Sequence, residues 1–305
     1  MSREIFVGGK EKGLLALEQL IALDANVVHA YILKEDDHEP DKFSPQIMAL
    51  SEKHKIPFTL TKSIKNEFET INALKPDLIV VYQWRSLIPN SILNVPKFGC
   101  ICVHEALLPK YRGFAPVNWV VINGEPTTGV TLFYLNEGID SGDIIAQRKI
   151  KIGKDETAYE VYQKAVDISI SLLKEYHDDI LQGKAPRVKQ HETRATYGCP
   201  RTPEDGKVNW GSGNVSIHNL VRGLSYPYPG AFCYYKGEKI IIQKSSILAQ
   251  KKWVGNVPGR IMGRFPNGSV EVLCGAGSIH ISEIEVGGER LQPVDLWKSI
   301  KEKLE

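Results

Sequence analysis

The sequence lacks an apolar run long enough to cross a membrane, since no window approaches the ~20 apolar residues that a spanning helix needs. It has only five cysteines, an odd number without the spacing of a disulfide framework, which indicates a reducing compartment. Its net charge is only +2, from 38 basic and 36 acidic residues, so no overall basic surface offers itself to nucleic acid. These absences predict a cytoplasmic globular protein without a membrane span and disfavour a nucleic-acid partner.

The first half of the chain alternates short apolar segments with segments of helical periodicity. Strands are predicted at residues 4–7, 26–33, 58–60 and 78–82, and helices at 13–23, 44–54 and 64–74. Strands separated by helices pair in parallel through right-handed crossovers. The sequence therefore predicts an α/β fold with a Rossmann-like, doubly wound parallel sheet.

The glycines after the first strand do not form a dinucleotide-binding loop. Gly8, Gly9 and Gly13 lack the GxGxxG spacing, and no acidic residue is clearly placed at the end of the second strand. We therefore expect an ordinary strand-to-helix turn and no NAD.

The second half changes character after a long predicted helix at 157–181. A polar segment rich in turn residues follows, and short β runs linked by glycine turns occupy the region from 231 to 284. The predicted domains are a catalytic domain at 1–190, a linker at 191–205 and a smaller β domain, a barrel or a sandwich, at 206–305.

A histidine follows a short β run at 100–103, where open α/β sheets place their ligands. His104 is a candidate general acid or base, because its ordinary pKa of ~6.5 allows proton exchange near neutrality. Asp140 lies in a glycine-rich turn and is a candidate partner. The spacing alone is also compatible with purely structural roles for His104 and Asp140.

Side chains alternate along a strand, so Cys100, Cys102 and His104 share one face. Three such groups could bind a metal, but no second cluster completes a tetrahedral set. We expect no metal site.

Three segments together resemble the formyltransferase superfamily that uses 10-formyltetrahydrofolate. They are HEALLPKYRGFAPVNW from His104, GVTLFYLNEGIDSGDII from Gly129 and YPYPGAF from Tyr226. The family signature is Asn-x-His with SLLPxxRG, followed by GxDxGD, and His104 and Asp140 fall in that register. Residues 201–205 and the YPGAF segment most resemble the domain that formylates UDP-4-amino-4-deoxy-L-arabinose, and methionyl-tRNA formyltransferase is also similar.

The resemblance implies acyl transfer from 10-formyltetrahydrofolate as co-substrate to a primary amine, and a C-terminal barrel that is OB-like. It implies that His104 donates to the oxyanion and handles a proton, and that Asp140 supports its protonated form. By the same resemblance the folate pocket is lined by two segments: Ser86, Leu87 and Ile88, and Asn136, Glu137, Gly138, Ile139 and Asp140. Candidate substrate-binding residues are Pro109, Tyr111, Arg112, Gly113 and Arg201. The two arginines suit a diphosphate, although a structural salt bridge is the alternative.

Three positions depart from the pattern, and one of them is Ala106, which stands where SLLP has Ser. Cys102 stands where the family has Asn, and a thiol donates a weaker hydrogen bond than an amide. Losing that donor could cost roughly 3 kcal/mol of transition-state stabilisation. Phe114 stands where the sugar enzyme has Arg. Cys102 is therefore a third candidate catalytic residue, as a nucleophile with His104 as its base.

The sequence thus predicts an N-formyltransferase acting on a nucleotide-linked amino sugar. The alternatives are a methionyl-tRNA formyltransferase, a Cys102-dependent hydrolase, and an inactive folate- or nucleotide-binding homologue. A small-molecule nucleotide sugar is the expected partner; tRNA and a homo-oligomer are left open.

Overall fold

The computed structural model describes residues 2–37, 39, 41–247 and 253–305. The chain forms two compact units that interleave along the sequence. The first comprises Met1–Gly113, Gly129–Ile150 and Lys164–Tyr197, and the second comprises Phe114–Thr128, Lys151–Gln163 and Gly198–Glu305. The domain limits at residues 190 and 206 stay a prediction.

The elements up to residue 151 alternate mostly between strand and helix, as the periodicity predicts. They are β1 (Glu4–Gly8), α1 (Lys10–Ala22), β2 (Val27–Leu33), α2 (Ser44–Lys53), β3 (Phe58–Thr61), α3 (Phe68–Leu74), β4 (Leu78–Tyr82), α4 (Asn90–Leu93), β5 (Cys100–His104), β6 (Arg112–Gly113), α5 (Pro116–Ile122), β7 (Thr127–Tyr134) and β8 (Ile144–Lys151).

The first unit is built on a seven-stranded sheet in the order β3-β2-β1-β4-β5-β7-β8. The pairs from β3 to β5 are parallel. Both central strands, β1 and β4, are buried along their whole length, which explains the apolar runs at residues 5–7 and 78–82. The Rossmann-like α/β architecture is confirmed.

The pair of β5 and β7 departs from the parallel pattern. Strand β7 runs antiparallel to β5, with His104 opposite Thr131 and Ile101 opposite Tyr134. An antiparallel neighbour needs no crossover helix packed on the sheet, so strand–helix alternation does not constrain its direction. Strand β8, which the periodicity did not predict, lies beside β7.

The remaining elements are α6 (Ala158–Leu181), β9 (Tyr197–Gly198), α7 (Asn214–Leu224), β10 (Ala231–Tyr235), β11 (Glu238–Ser246), β12 (Ile261–Arg264), β13 (Val270–Leu273), β14 (Ser278–Val286), β15 (Glu289–Leu291) and α8 (Pro293–Leu296), with 3-10 turns at Glu192–Arg194 and Pro203–Gly206.

The second unit contains an antiparallel sheet in the order β10-β11-β14-β13-β12, with β15 paired to β14. Its core holds alternate residues of each strand together with one face of α7 and Trp297. The β-rich C-terminal region is confirmed as an antiparallel sheet. Within the described residues, no helix is both long enough and apolar enough to span a bilayer.

Candidate functional site

A pocket of about 310 Å³ opens at the carboxyl edge of the first unit's sheet. The strand order reverses between β1 and β4, and open α/β sheets bind ligands at such a switch point. The described lining comes from the residues after β1 and β4, from β5 and its end, and from two loops. It comprises Lys10, Lys12, Gln83, Trp84, Arg85, Cys102, Val103, His104, Glu105, Gly113 and Asp140.

His104 ends β5 and is only 6% exposed. Its Nε2 lies 2.7 Å from the backbone carbonyl oxygen of Tyr111. Since a carbonyl only accepts, Nε2 carries the proton, and Nδ1 of the neutral ring keeps its lone pair. The fold thus selects the tautomer in which Nδ1 can accept a proton.

Asp140 stands next to that nitrogen, with Oδ2 3.6 Å from Nδ1 of His104. The same oxygen accepts a 2.7 Å hydrogen bond from the Gly113 amide. Asp140 has a φ of 48°, a left-handed conformation that Asp tolerates better than most residues. The turn thereby directs its carboxylate at His104, and the structure brings together the two residues that the motif predicts.

The pKa of His104 lies below its ordinary value. Burial lowers this pKa most, while Asp140 and the carbonyl of Tyr111 raise it and Lys12 lowers it further. The effect of Asp140 has the expected sign, but burial outweighs it. His104 is therefore neutral at pH 7 and is poised as a base, with Asp140 ready to stabilise the imidazolium.

Cys102 also lines the pocket, on the same strand face as His104. Its Sγ lies 3.5 Å from the carbonyl oxygen of Val103, to which the thiol donates. Burial and then Asp140 raise the pKa of the thiol to about 12. At pH 7 Cys102 is a neutral thiol, which is a poor nucleophile.

The sequence did not single out four charged residues of the lining, which are Lys10, Lys12, Arg85 and Glu105. Lys12, in the first turn of α1, is 2% exposed and forms an ion pair with Glu105, the residue after His104. The strand order offers the missing signal, because residues that follow β1 and β5 meet at the same edge of the sheet.

The pocket rim carries a second ionic cluster. Arg85 donates to Glu39 at 2.8 and 2.5 Å and to Asp36 at 3.2 Å, and Lys10 pairs with the same Glu39. These side chains are only half-buried, so salt screens their attraction and each pair contributes little to stability.

The first predicted folate segment, Ser86 to Ile88, follows the lining residues Trp84 and Arg85 but contributes nothing to the described lining. Ser86 Oγ and Trp84 Nε1 are buried without a hydrogen-bond partner among the described residues, whereas Leu87 is 81% exposed. Buried donors without partners cost free energy, so this segment fits a ligand that supplies acceptors.

The second predicted folate segment is a turn held by its own side chains. Asn136 Oδ1 accepts hydrogen bonds from the Gly138 amide at 3.1 Å and from Ser141 Oγ at 2.9 Å. Glu137 accepts one from Asn90, and Ile139 is half-exposed. Of the residues 136–140, only Asp140 belongs to the described lining.

The predicted substrate loop after β5 divides in the structure. Gly113 lines the pocket, and Tyr111 serves through its carbonyl group, whereas Pro109 follows a cis peptide bond and accepts a hydrogen bond from Thr196 through its own carbonyl.

Arg112 makes the contacts of a structural salt bridge, the alternative that the sequence left open. It is 1% exposed, and its guanidinium donates to both carboxylate oxygens of Glu192 and to Gln190 and Tyr197. Its role as a diphosphate ligand stays a prediction. The backbone N–H of Arg112 donates a hydrogen bond to the carbonyl oxygen of Thr196, which connects the loop to residues 196–197.

Arg201 belongs to the second unit. Its guanidinium lies 4.6 Å from the ring centre of Trp119 and donates to the carbonyl of Asp205 at 2.9 Å. Its predicted role in binding substrate stays a prediction. No group of three or more metal-ligating side chains occurs among the residues that the structure describes.

Two family models match the chain: formyl transferase over residues 24–175 and the formyl transferase C-terminal domain over residues 201–301. A methionyl-tRNA formyltransferase of Geobacter sulfurreducens is 33% identical over 297 residues, covering 95% of this chain and 91% of the relative. The bifunctional polymyxin resistance protein ArnA of Wigglesworthia glossinidia brevipalpis is 38% identical over 259 residues, covering 84% of this chain and 39% of the relative.

Among solved structures, the N-formyltransferase of Helicobacter canadensis, in complex with folinic acid and dTDP-3-aminofucose, has a similar fold. The TM-score is 0.72 at 19% identity, over 92% of this chain and 99% of the other. The matches to two family models and to relatives that span nearly the whole chain agree with the motifs at His104 and Asp140. The chain therefore belongs to the formyl transferase family and is a formyltransferase.

Proposed function

We propose that this protein transfers a formyl group from 10-formyltetrahydrofolate to the primary amine of a nucleotide-linked amino sugar. The observation that carries the proposal is the His104–Asp140 pair, held 3.6 Å apart in a pocket at the switch point of the sheet. Family membership supplies the reaction class, and this geometry supplies a base for it.

The pair performs the proton transfers that the reaction needs. Neutral His104 accepts a proton at Nδ1 as the substrate amine forms its bond to the formyl carbon. Asp140 stabilises the resulting imidazolium, while the Tyr111 carbonyl keeps the ring oriented through Nε2. His104 then returns the proton to the departing nitrogen, so that the products are the formamide and tetrahydrofolate.

A folate fits the residues beside the pocket. The unpartnered donors of Trp84 and Ser86 suit the acceptor atoms of a pterin ring, and exposed Leu87 offers apolar contact. The turn at 136–140 would border the same ligand through Asp140. The formyl group comes from this co-substrate, and the protein contributes its placement next to His104.

The amino-sugar acceptor is supported by the structurally similar Helicobacter enzyme, which was solved with dTDP-3-aminofucose. The resemblance of residues 201–205 and of the YPGAF segment to the domain that formylates UDP-4-amino-4-deoxy-L-arabinose favours the same acceptor class. A methionyl-tRNA acceptor is the second candidate, because relatives with that activity match 95% of this chain. The neutral thiol of Cys102 argues against a cysteine hydrolase.

The test is a release assay for tetrahydrofolate with a panel of acceptors: UDP- and dTDP-linked amino sugars and methionyl-tRNA. We expect turnover with a sugar nucleotide, none with His104→Gln, and little with tRNA. Turnover with methionyl-tRNA alone would show that the acceptor is the tRNA and not a sugar nucleotide. Folate binding without turnover on any acceptor would identify an inactive binding homologue and overturn the proposal.

A further inference from the structure

Lys12 is an unusual residue to find in a pocket. It lies in the first turn of α1, and it is 2% exposed. It lines the same cavity as Cys102 and His104. Its Nζ is paired with Glu105, which directly follows His104 in the chain. Lys12 and its partner Glu105 therefore both line the pocket that contains His104.

The burial of Lys12 is unfavourable for the fold. Burial lowers its pKa to about 8, against the smaller raising effects of Cys102 and Glu11. Replacing a buried ion pair by apolar residues is often neutral or stabilising, so stability does not explain this pair. A charge kept in a cavity at such a cost suggests a function there.

The proposed reaction also needs a hydrogen-bond donor that Lys12 can supply. The oxyanion formed during formyl transfer requires a donor, and the family's amide at position 102 is here a thiol that donates weakly to the Val103 carbonyl. Lys12, Cys102 and His104 all line this one pocket, and the charge of Lys12 lowers the pKa of both other groups.

We propose that Lys12 is a catalytic residue of this formyl transfer, whose ammonium donates a hydrogen bond to the formyl oxygen in place of the missing amide, and that Glu105 is its positioning residue. The inference rests on the proposed function. It extends that function by assigning the oxyanion donor to a cation that the family motif does not contain.

The bond changes balance without any transfer from Lys12. The amine nitrogen forms a bond to the formyl carbon, and the carbonyl π pair moves to the oxygen, which Lys12 stabilises as an oxyanion. The pair then returns, the bond to the tetrahydrofolate nitrogen breaks, and His104 moves the amine proton to that nitrogen. Lys12 keeps its proton throughout.

The first experiment measures kcat and KM for wild type, Lys12→Met and Lys12→Arg, with exposed Lys174→Met as the matched control. We expect kcat of Lys12→Met to fall about 10²-fold. The affinity for 5-formyltetrahydrofolate, measured by titration, should stay unchanged, and Lys12→Arg should retain part of the activity. The double variant Lys12→Met/Glu105→Gln should show the same loss of kcat, although it leaves no buried unpaired carboxylate. Its circular dichroism spectrum shows whether it is folded.

The second experiment is a pH profile of kcat for the wild type and Lys12→Arg. Wild-type activity should decline above about pH 8 as Lys12 loses its proton, and Lys12→Arg should lack that decline. The charged or titratable groups around Lys12 in the pocket are Glu105, Cys102, His104, Asp140, Lys10 and Arg85, with Glu11 on its own helix.

The outcomes separate the two proposals. Active wild type with an equally active Lys12→Met would overturn the role of Lys12 alone. Loss of folate affinity together with kcat would make Lys12 a binding residue and also overturn it. Wild type inactive on every acceptor would overturn the proposed function, and this inference with it.

Discussion

Two buried cations in the first unit, Lys12 and Arg112, show how differently the same fold uses charge. Arg112 donates to Glu192, Gln190 and Tyr197, and its hydrogen bond with Glu192 raises its pKa. Lys12 lies in the pocket, where burial lowers its pKa to about 8. The protein therefore stabilises the charge of Arg112 as part of its structure and destabilises that of Lys12 in its site.

The largest effect should come from the pocket side of this comparison. His104→Gln keeps a donor for the Tyr111 carbonyl but cannot accept the proton of the amine. We expect kcat to fall about 10³-fold, within the range for loss of a general base, with little change in melting temperature. Steady-state kinetics and thermal unfolding measure the two effects. A fall in stability large enough to explain the loss would contradict the assignment.

Arg112→Met tests the structural side. It removes a buried guanidinium and its hydrogen bonds to Glu192, Gln190 and Tyr197, so we expect a lower free energy of unfolding. Urea unfolding should show this loss, whereas Lys12→Met/Glu105→Gln, which leaves no buried unpaired carboxylate, should show none. If Arg112→Met instead left stability intact and weakened the binding of a sugar nucleotide, the predicted diphosphate role of Arg112 would be supported.

Asp140→Asn should have a smaller effect, chiefly on pH dependence. The Asp140 charge raises the pKa of His104 against burial, so its removal lowers that pKa further. Since neutral His104 is the base, activity declines as pH falls below its pKa, and the acidic limb should move to lower pH in the variant. We expect a decrease in kcat of about tenfold at pH 7, because the imidazolium loses its partner. A limb that moved upward would contradict the arrangement.

Much of the first unit was predictable because its buried strands carry apolar runs, such as residues 5–7 in β1 and 78–82 in β4, with helical segments between them. The direction of β7 was not predictable, because the pairing of strands depends on contacts between residues that are distant in sequence. In the site, the motif located His104 and Asp140. Lys12 lies about 90 residues before His104 and joins the pocket only through the strand order, which a one-dimensional pattern does not specify.

The smallest effect on activity should come from modifying Cys102, the thiol that lines the same pocket as Lys12. Its pKa of about 12 keeps it protonated at neutral pH, and alkylation requires the thiolate. Iodoacetamide at pH 7 should therefore leave formyl transfer nearly unchanged, and exposed Cys199 provides an internal control that the reagent reacts. Mass spectrometry would identify the modified residue. Rapid inactivation with the label on Cys102 would show that Lys12 and its neighbours activate a nucleophile, and it would favour the hydrolase over the transferase.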